Sequence, residues 1–73
     1  MTANKNTIHY IITCIVDFAE KYNISIKDSF EYLKKYNCVQ YLFENYEIEH
    51  TLSKDDTLGA LSQISHQNGG YLI

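Results

Sequence analysis

The sequence predicts an all-α fold, a compact bundle of about four short helices. Three observations carry that reading. Apolar residues return every three or four positions along most of the chain, which is the helical period. Serine, asparagine, aspartate and glycine punctuate the ends of those stretches, where helices start and stop. Proline is absent, so no helix is broken by that route. The 73 residues form a single domain, 1–73, near the lower size limit at which an apolar core alone holds a chain together.

The first helix runs from about residue 5 to residue 22. Ile8, Ile11, Ile12, Ile15, Phe18, Ala19 and Tyr22 share one face, and Asn6, Thr13, Asp17, Glu20 and Lys21 fall on or near the other. Asn23 stops this helix, and "ISIKD" opens the second, over about 26–36. Ser25 caps the backbone N–H of Asp28, whose carboxylate then lies in the first turn, where the helix dipole favours it. Ile26, Phe30 and Leu33 form the expected inner stripe, flanked by Tyr32 and Tyr36. Lys34 and Lys35 suit the last turn, and Asn37 a left-handed stop. A third helix, about 38–45, is expected to bury Val39, Leu42 and Phe43.

"YEIEHT", residues 46–51, alternates apolar with polar, so a short extended segment there is the alternative to a plain connection. Ser53 caps the last helix, about 54–67, with Asp55 and Asp56 in its first turn. Leu58, Leu61 and Ile64 supply its buried stripe. Gly59 within it marks an expected close crossing with a neighbouring helix. In "QNGG", Gly69 is the left-handed cap at the end. The closing "YLI" is apolar and is expected to dock back onto the bundle.

Charge narrows the function classes. The net charge is −3, and it is lopsided. Residues 1–37 set five lysines against Asp17, Glu20, Asp28 and Glu31, a net +1. Residues 38–73 set only Lys54 against Glu44, Glu47, Glu49, Asp55 and Asp56, a net −4. Without a single arginine, bidentate phosphate recognition is missing, and a helical nucleic-acid-binding regulator loses its usual electrostatic footprint. The acidic second half suits a basic protein partner instead.

Cys14 and Cys38 are too few and too far apart for a zinc motif. Nothing at the N-terminus reads as a signal peptide, and the apolar-rich Ile8–Ala19 stretch is too short to span a bilayer. These features predict a cytoplasmic chain with reduced thiols and no membrane association. His50 stands near carboxylates, but no third orienting group and no glycine-rich oxyanion turn accompany it, so it is read as packing or hydrogen-bonding at the corner. A metal site on His50, Asp55 and Asp56 lacks a second histidine, since His9 and His66 are isolated. Cys14 reads as a small buried hydrophobe; Cys38 begins a helix whose dipole would lower its pKa, but without partner groups the structural reading is favoured over a reactive thiol. The expectation is therefore no enzyme, with no catalytic, cofactor-binding or metal-ligating residue. Seven tyrosines in so small a domain cannot all be deep; tyrosines clustered at a surface are typical of binding faces, and the plainer reading, which is favoured, is that they edge a thin core as amphipathic filler.

"YNISIKDSFEYLKKY" followed by "YLFENYEIEHTLSKDDTLGALSQISHQNGG" resembles a small bacterial family of domains of unknown function, of about this length. Roughly residues 8–70 take part. The run Tyr46, His50, Ser53, Asp55 and Asp56 is its most distinctive portion, and Asn37–Cys38 replaces the glycine that the family commonly shows after "KKY". Genes of that family often stand beside genes for ADP-ribosyltransferase-like proteins. The resemblance thus implies a non-catalytic accessory or antitoxin-like partner, with Tyr41, Tyr46, Glu47, Glu49 and His50 as contact candidates. The alternative function is a self-associating structural domain that completes its core across a two-fold axis.

Overall fold

A computed structural model describes residues 5–72. Five helices follow one another: α1 (Lys5–Tyr22), α2 (Ile26–Lys35), α3 (Cys38–Glu44), α4 (Tyr46–Glu49) and α5 (Lys54–Gln67), with no strand among the described residues. The all-α class holds.

Local hydrogen bonds set the helix ends. Asn23 adopts φ 54° after α1, and the Ile24 N–H donates back to the Ala19 carbonyl at 3.0 Å. Ser25 Oγ accepts from the Asp28 N–H at 3.0 Å to start α2. Asn37, at φ 65°, closes α2 by donating to the Lys34 carbonyl at 3.3 Å and opens α3 by accepting from the Tyr41 N–H at 3.1 Å. One left-handed residue therefore joins two helices. Ser53 Oγ accepts from the Asp56 N–H at 3.1 Å at the head of α5. At its tail Gly69 takes φ 98°, and the N–H groups of Gly69 and Gly70 reach the carbonyls of His66 (3.1 Å) and Ser65 (2.7 Å) in a Schellman motif.

Residues 46–51 do not form the extended alternative. The Asn45 carbonyl accepts from Ile48 (3.1 Å) and Glu49 (2.8 Å), which winds Tyr46–Glu49 into a single helical turn. Among the described residues no strand lies beside this segment to satisfy an extended backbone, so its polar groups close on themselves.

Phe18, Leu33, Cys38, Leu42 and Leu61 form the fully buried centre, with Ile11, Cys14, Ile15, Tyr32 and Leu58 around them. The seam between α1 and α2 is tight. Ser29 is fully buried and donates its hydroxyl to the Ile15 carbonyl at 2.7 Å, while Phe18 and Tyr32 stack at 5.7 Å on the inner side. This geometry corrects two expected stripes. On α2 the buried residues are Ser29, Tyr32 and Leu33, and Ile26 and Phe30 are exposed. On α1, Ile8 and Ile12 are likewise exposed. The physical cause is the small Ser29, which lets the helices approach and turns both inner faces toward it, leaving the edge of each apolar arc uncovered. On α3, Cys38 and Leu42 take the inner positions, and Val39 and Phe43 are only half-buried.

The inner face of α5 mixes Leu58 and Leu61 with buried Thr57, Ser62 and Ser65. Each of those hydroxyls meets a tyrosine: Tyr10 with Thr57 at 3.3 Å, Tyr22 with Ser62 at 2.6 Å, Tyr32 with Ser65 at 3.3 Å. Three of the seven tyrosines therefore tie α1 and α2 to α5, and Tyr71, 76% exposed, is the one that stays open. The chain end docks through Leu72, whose N–H donates to the Tyr32 hydroxyl at 2.9 Å, and through the Tyr71 ring, edge-on to Tyr32. Ile73 of the expected docking segment lies outside the described residues. No described helix is long and apolar enough to cross a membrane.

Gly59 is not at a close crossing. It is exposed, and a Cβ built there meets nothing within 4 Å. Gly59→Ala is expected to stabilise the domain by about 1 kcal/mol through helix propensity alone. Thermal denaturation followed by circular dichroism checks this, and an unchanged or lower Tm would refute it.

Candidate functional site

The distinctive run of the sequence becomes a corner between α3 and α5. Its helical turn, α4, puts Tyr46 and His50 four residues apart, so their rings stack, with centroids 4.5 Å apart and planes 14° from parallel. Tyr10 of α1 meets both edge-on, at 5.5 Å from Tyr46 and 6.5 Å from His50. His50 Nδ1 lies 2.6 Å from the Tyr46 carbonyl oxygen, so this nitrogen donates to the backbone. Thr51 Oγ1 donates to the Ile48 carbonyl at 2.7 Å. Together these contacts lock the turn from below and at its exit.

Glu49 points inward and is only 4% exposed. Its Oε2 accepts the Tyr41 hydroxyl proton at 2.6 Å, and its Oε1 is buried without a hydrogen-bond partner. The cation in the ion pairs of the described residues, Lys54, reaches Asp17 (3.7 Å) and Glu20 (4.0 Å) rather than Glu49. The Glu49 carboxylate pushes the Tyr41 phenol up to about 12, by its hydrogen bond first and by burial second. Burial likewise pushes Tyr10 up to about 12, against the opposing hydrogen bond from Thr57. Thr57 Oγ1 in turn donates to the Glu49 carbonyl at 3.4 Å, joining α5 to the corner.

Beside the corner lies a cleft of about 190 Å³ lined by Tyr10, Thr13, Cys14, Asp17, Leu52 and Lys54, among others. Cys14, at its back, is held protonated, since burial pushes its thiol up to about 11. Cys38 takes the structural one of its two expected readings. It does stand at the start of α3, but it is fully buried among core side chains, with Sγ 3.4 Å from the Leu61 carbonyl oxygen, and burial pushes it up to about 11. Desolvation of a thiolate outweighs the dipole of a seven-residue helix. No group of three His, Cys, Asp or Glu side chains among the described residues is placed to hold a metal ion.

Of the expected contact residues, Tyr41, Tyr46, Glu49 and His50 are thus gathered into one structural cluster, and Glu47 and His50 are exposed at the surface. Glu49 is corrected from a contact to an internal prop: turning helically rather than as a strand carries it inward and carries Ile48 out. Ile48 becomes 65% exposed and Leu52 41% exposed, the apolar tip of an otherwise acidic corner. Sequence reasoning missed Tyr10 and Thr57, which lie far from the corner in the chain, and it missed the outward Ile48. Only the helical turn would have signalled the last.

A protein-family model matches residues 9–65, most of the chain. The chain belongs to DUF3791, a protein family of unknown function. No curated protein and no solved structure matches it. The DUF3791 match contains the whole corner from Tyr41 to Asp56, together with its distant props Tyr10 and Thr57, and it ends within α5 before the Gly69–Gly70 stop.

Proposed function

We propose that this DUF3791 chain is a non-catalytic protein-interaction module, an accessory or antitoxin-like partner of an ADP-ribosyltransferase-like protein. The observation that carries the interaction reading is the α4 corner. It holds a 65% exposed Ile48 next to Glu47 on a turn braced by the Tyr10, Tyr46 and His50 rings. An isoleucine left in water on a braced turn is the arrangement of an interface anchor, pre-ordered so that little entropy is lost on binding. Glu47, Ile48, His50 and Leu52 are the contact set. Tyr41, Tyr46 and Glu49 hold it in shape. Glu44, Asp55 and Asp56 add negative charge on either side, which fits a cleft made basic to hold the phosphates of NAD. The class of partner comes from the family resemblance and its gene neighbourhood.

Co-expression with the product of the adjacent gene tests this. Size exclusion with light scattering is expected to give a defined complex, with a changed rate of NAD-dependent transfer by the partner. Ile48→Asp is expected to weaken the complex at least tenfold while leaving the melting curve of the free chain in place, because the side chain it replaces is exposed. Separate elution with unaltered transfer activity would end the proposal.

A further inference from the structure

We propose that copies of this chain associate head to tail, the α4 corner of one copy seated on the outer α1–α2 face of the next. The receiving face follows from the seam. Phe18 against Tyr32 marks its inner side, and the bond from Ser29 to the Ile15 carbonyl marks its line. On both helices, residues rotated further past that line emerge on the opposite, outer side: Ile8 and Ile12 from α1, Ile26 and Phe30 from α2. The three-residue connection between α1 and α2 turns α2 back along α1, and Ser29 stands beside Ile15. All four side chains are exposed, Ile12 at 53% and Ile26 at 58%, and helical spacing sets each pair along the outer edge of its helix, together an apolar strip.

Lysines border this strip. Lys5 on α1 and Lys27 and Lys34 on α2 are exposed at its edge by the same helical spacing, and Lys34 Nζ lies 5.9 Å from the Phe30 ring centroid. Glu20, the nearest carboxylate on α1, is already 4.0 Å from Lys54. Two such faces meeting across a two-fold axis would set lysine against lysine, which opposes the isologous pairing expected from composition alone. The α4 corner has the complementary character: Ile48 and Leu52 exposed among Glu44, Glu47, Asp55 and Asp56. It also lies on the far side of the molecule. Tyr10, which braces the corner, and Ile12, in the centre of the strip, are two residues apart on α1 and so point in nearly opposite directions. A surface and its complement on opposite sides give a heterologous, open contact. The corner is the one proposed above for a partner protein, so a bound partner would dissolve the assembly, but the association itself needs no partner.

The test uses the protein alone. Light scattering across a wide concentration range is expected to show an average mass that climbs past the dimer without a plateau and falls as salt is added. Ile12→Asp and Ile48→Asp, each checked for native helicity, are each expected to run as monomers. Mixed together, they are expected to form a dimer, because each retains the face the other has lost. Phe30→Asp replaces Ile12→Asp should that variant lose its helicity. A wild-type chain monomeric at every concentration would overturn the proposal. So would a dimer plateau abolished by Ile12→Asp and not restored by mixing, since that is the signature of two-fold pairing.

Discussion

Titration of this protein to pH values above about 11 is expected to unfold it cooperatively. Cys14 and Cys38 are buried in the core, and their thiols are raised from an ordinary value of 9.0 to about 11. A raised value means that the folded state holds the proton more tightly than the unfolded chain. Below 9.0 the thiols are protonated in both states, and their contribution to stability is fully present. Between 9.0 and about 11 the unfolded chain ionises first, so stability falls with rising pH, and above that the contribution is gone. Each thiol accounts for about 2–3 kcal/mol over this window. Tyr10 and Tyr41 extend the loss from 10.0 toward about 12, in smaller amounts because both are partly open to solvent. A domain of this size has a total stability of only about 5 kcal/mol. Loss of the helical circular dichroism signal should therefore coincide with the appearance of thiolate absorbance from Cys14 and Cys38. Helices that survive while both thiols titrate at their ordinary value of 9.0 would contradict it.

Gly70→Ala is expected to destabilise the domain by about 3 kcal/mol, the cost of forcing a side chain into a packed interior. A Cβ at Gly70 would stand 2.8 Å from the Ser65 carbonyl oxygen and would overlap the Tyr32 hydroxyl. That hydroxyl is a junction: it donates to Ser65 Oγ at 3.3 Å and accepts from the Leu72 N–H at 2.9 Å. Displacing it loosens the α2–α5 link and the chain end together. For a domain this small, the melting temperature should fall by roughly 10–20 °C. Tyr32→Phe offers a further check. It removes the hydroxyl and so should recover part of the loss when combined with Gly70→Ala, leaving the clash with the Ser65 carbonyl. Simple additivity of the two changes, or a Gly70→Ala protein that melts like the parent, would show that the close approach does not govern stability.

Much of the architecture was legible because its causes are local. The caps at Ser25 and Ser53, the left-handed stops at Asn23, Asn37 and Gly69, and the carboxylates in the first turns of α2 and α5 each depend on residues a few positions apart. The 46–51 corner was ambiguous for the same reason. "YEIEHT" satisfies the strand period and the helical turn equally well over so few residues, and the choice between them reverses Ile48 and Glu49.

By itself the sequence determined the all-α class, the acidic second half, and which stretches carry an apolar arc, since period and composition are properties of the chain alone. The tertiary structure decided how much of each arc is used. A single buried Ser29 against the Ile15 carbonyl rotates α1 and α2 so that Ile8, Ile12, Ile26 and Phe30 face outward. Tyrosine hydroxyls find Thr57, Ser62 and Ser65 across 33 to 47 residues of chain. Such pairings depend on where three helices cross, and no periodicity within one helix encodes that crossing.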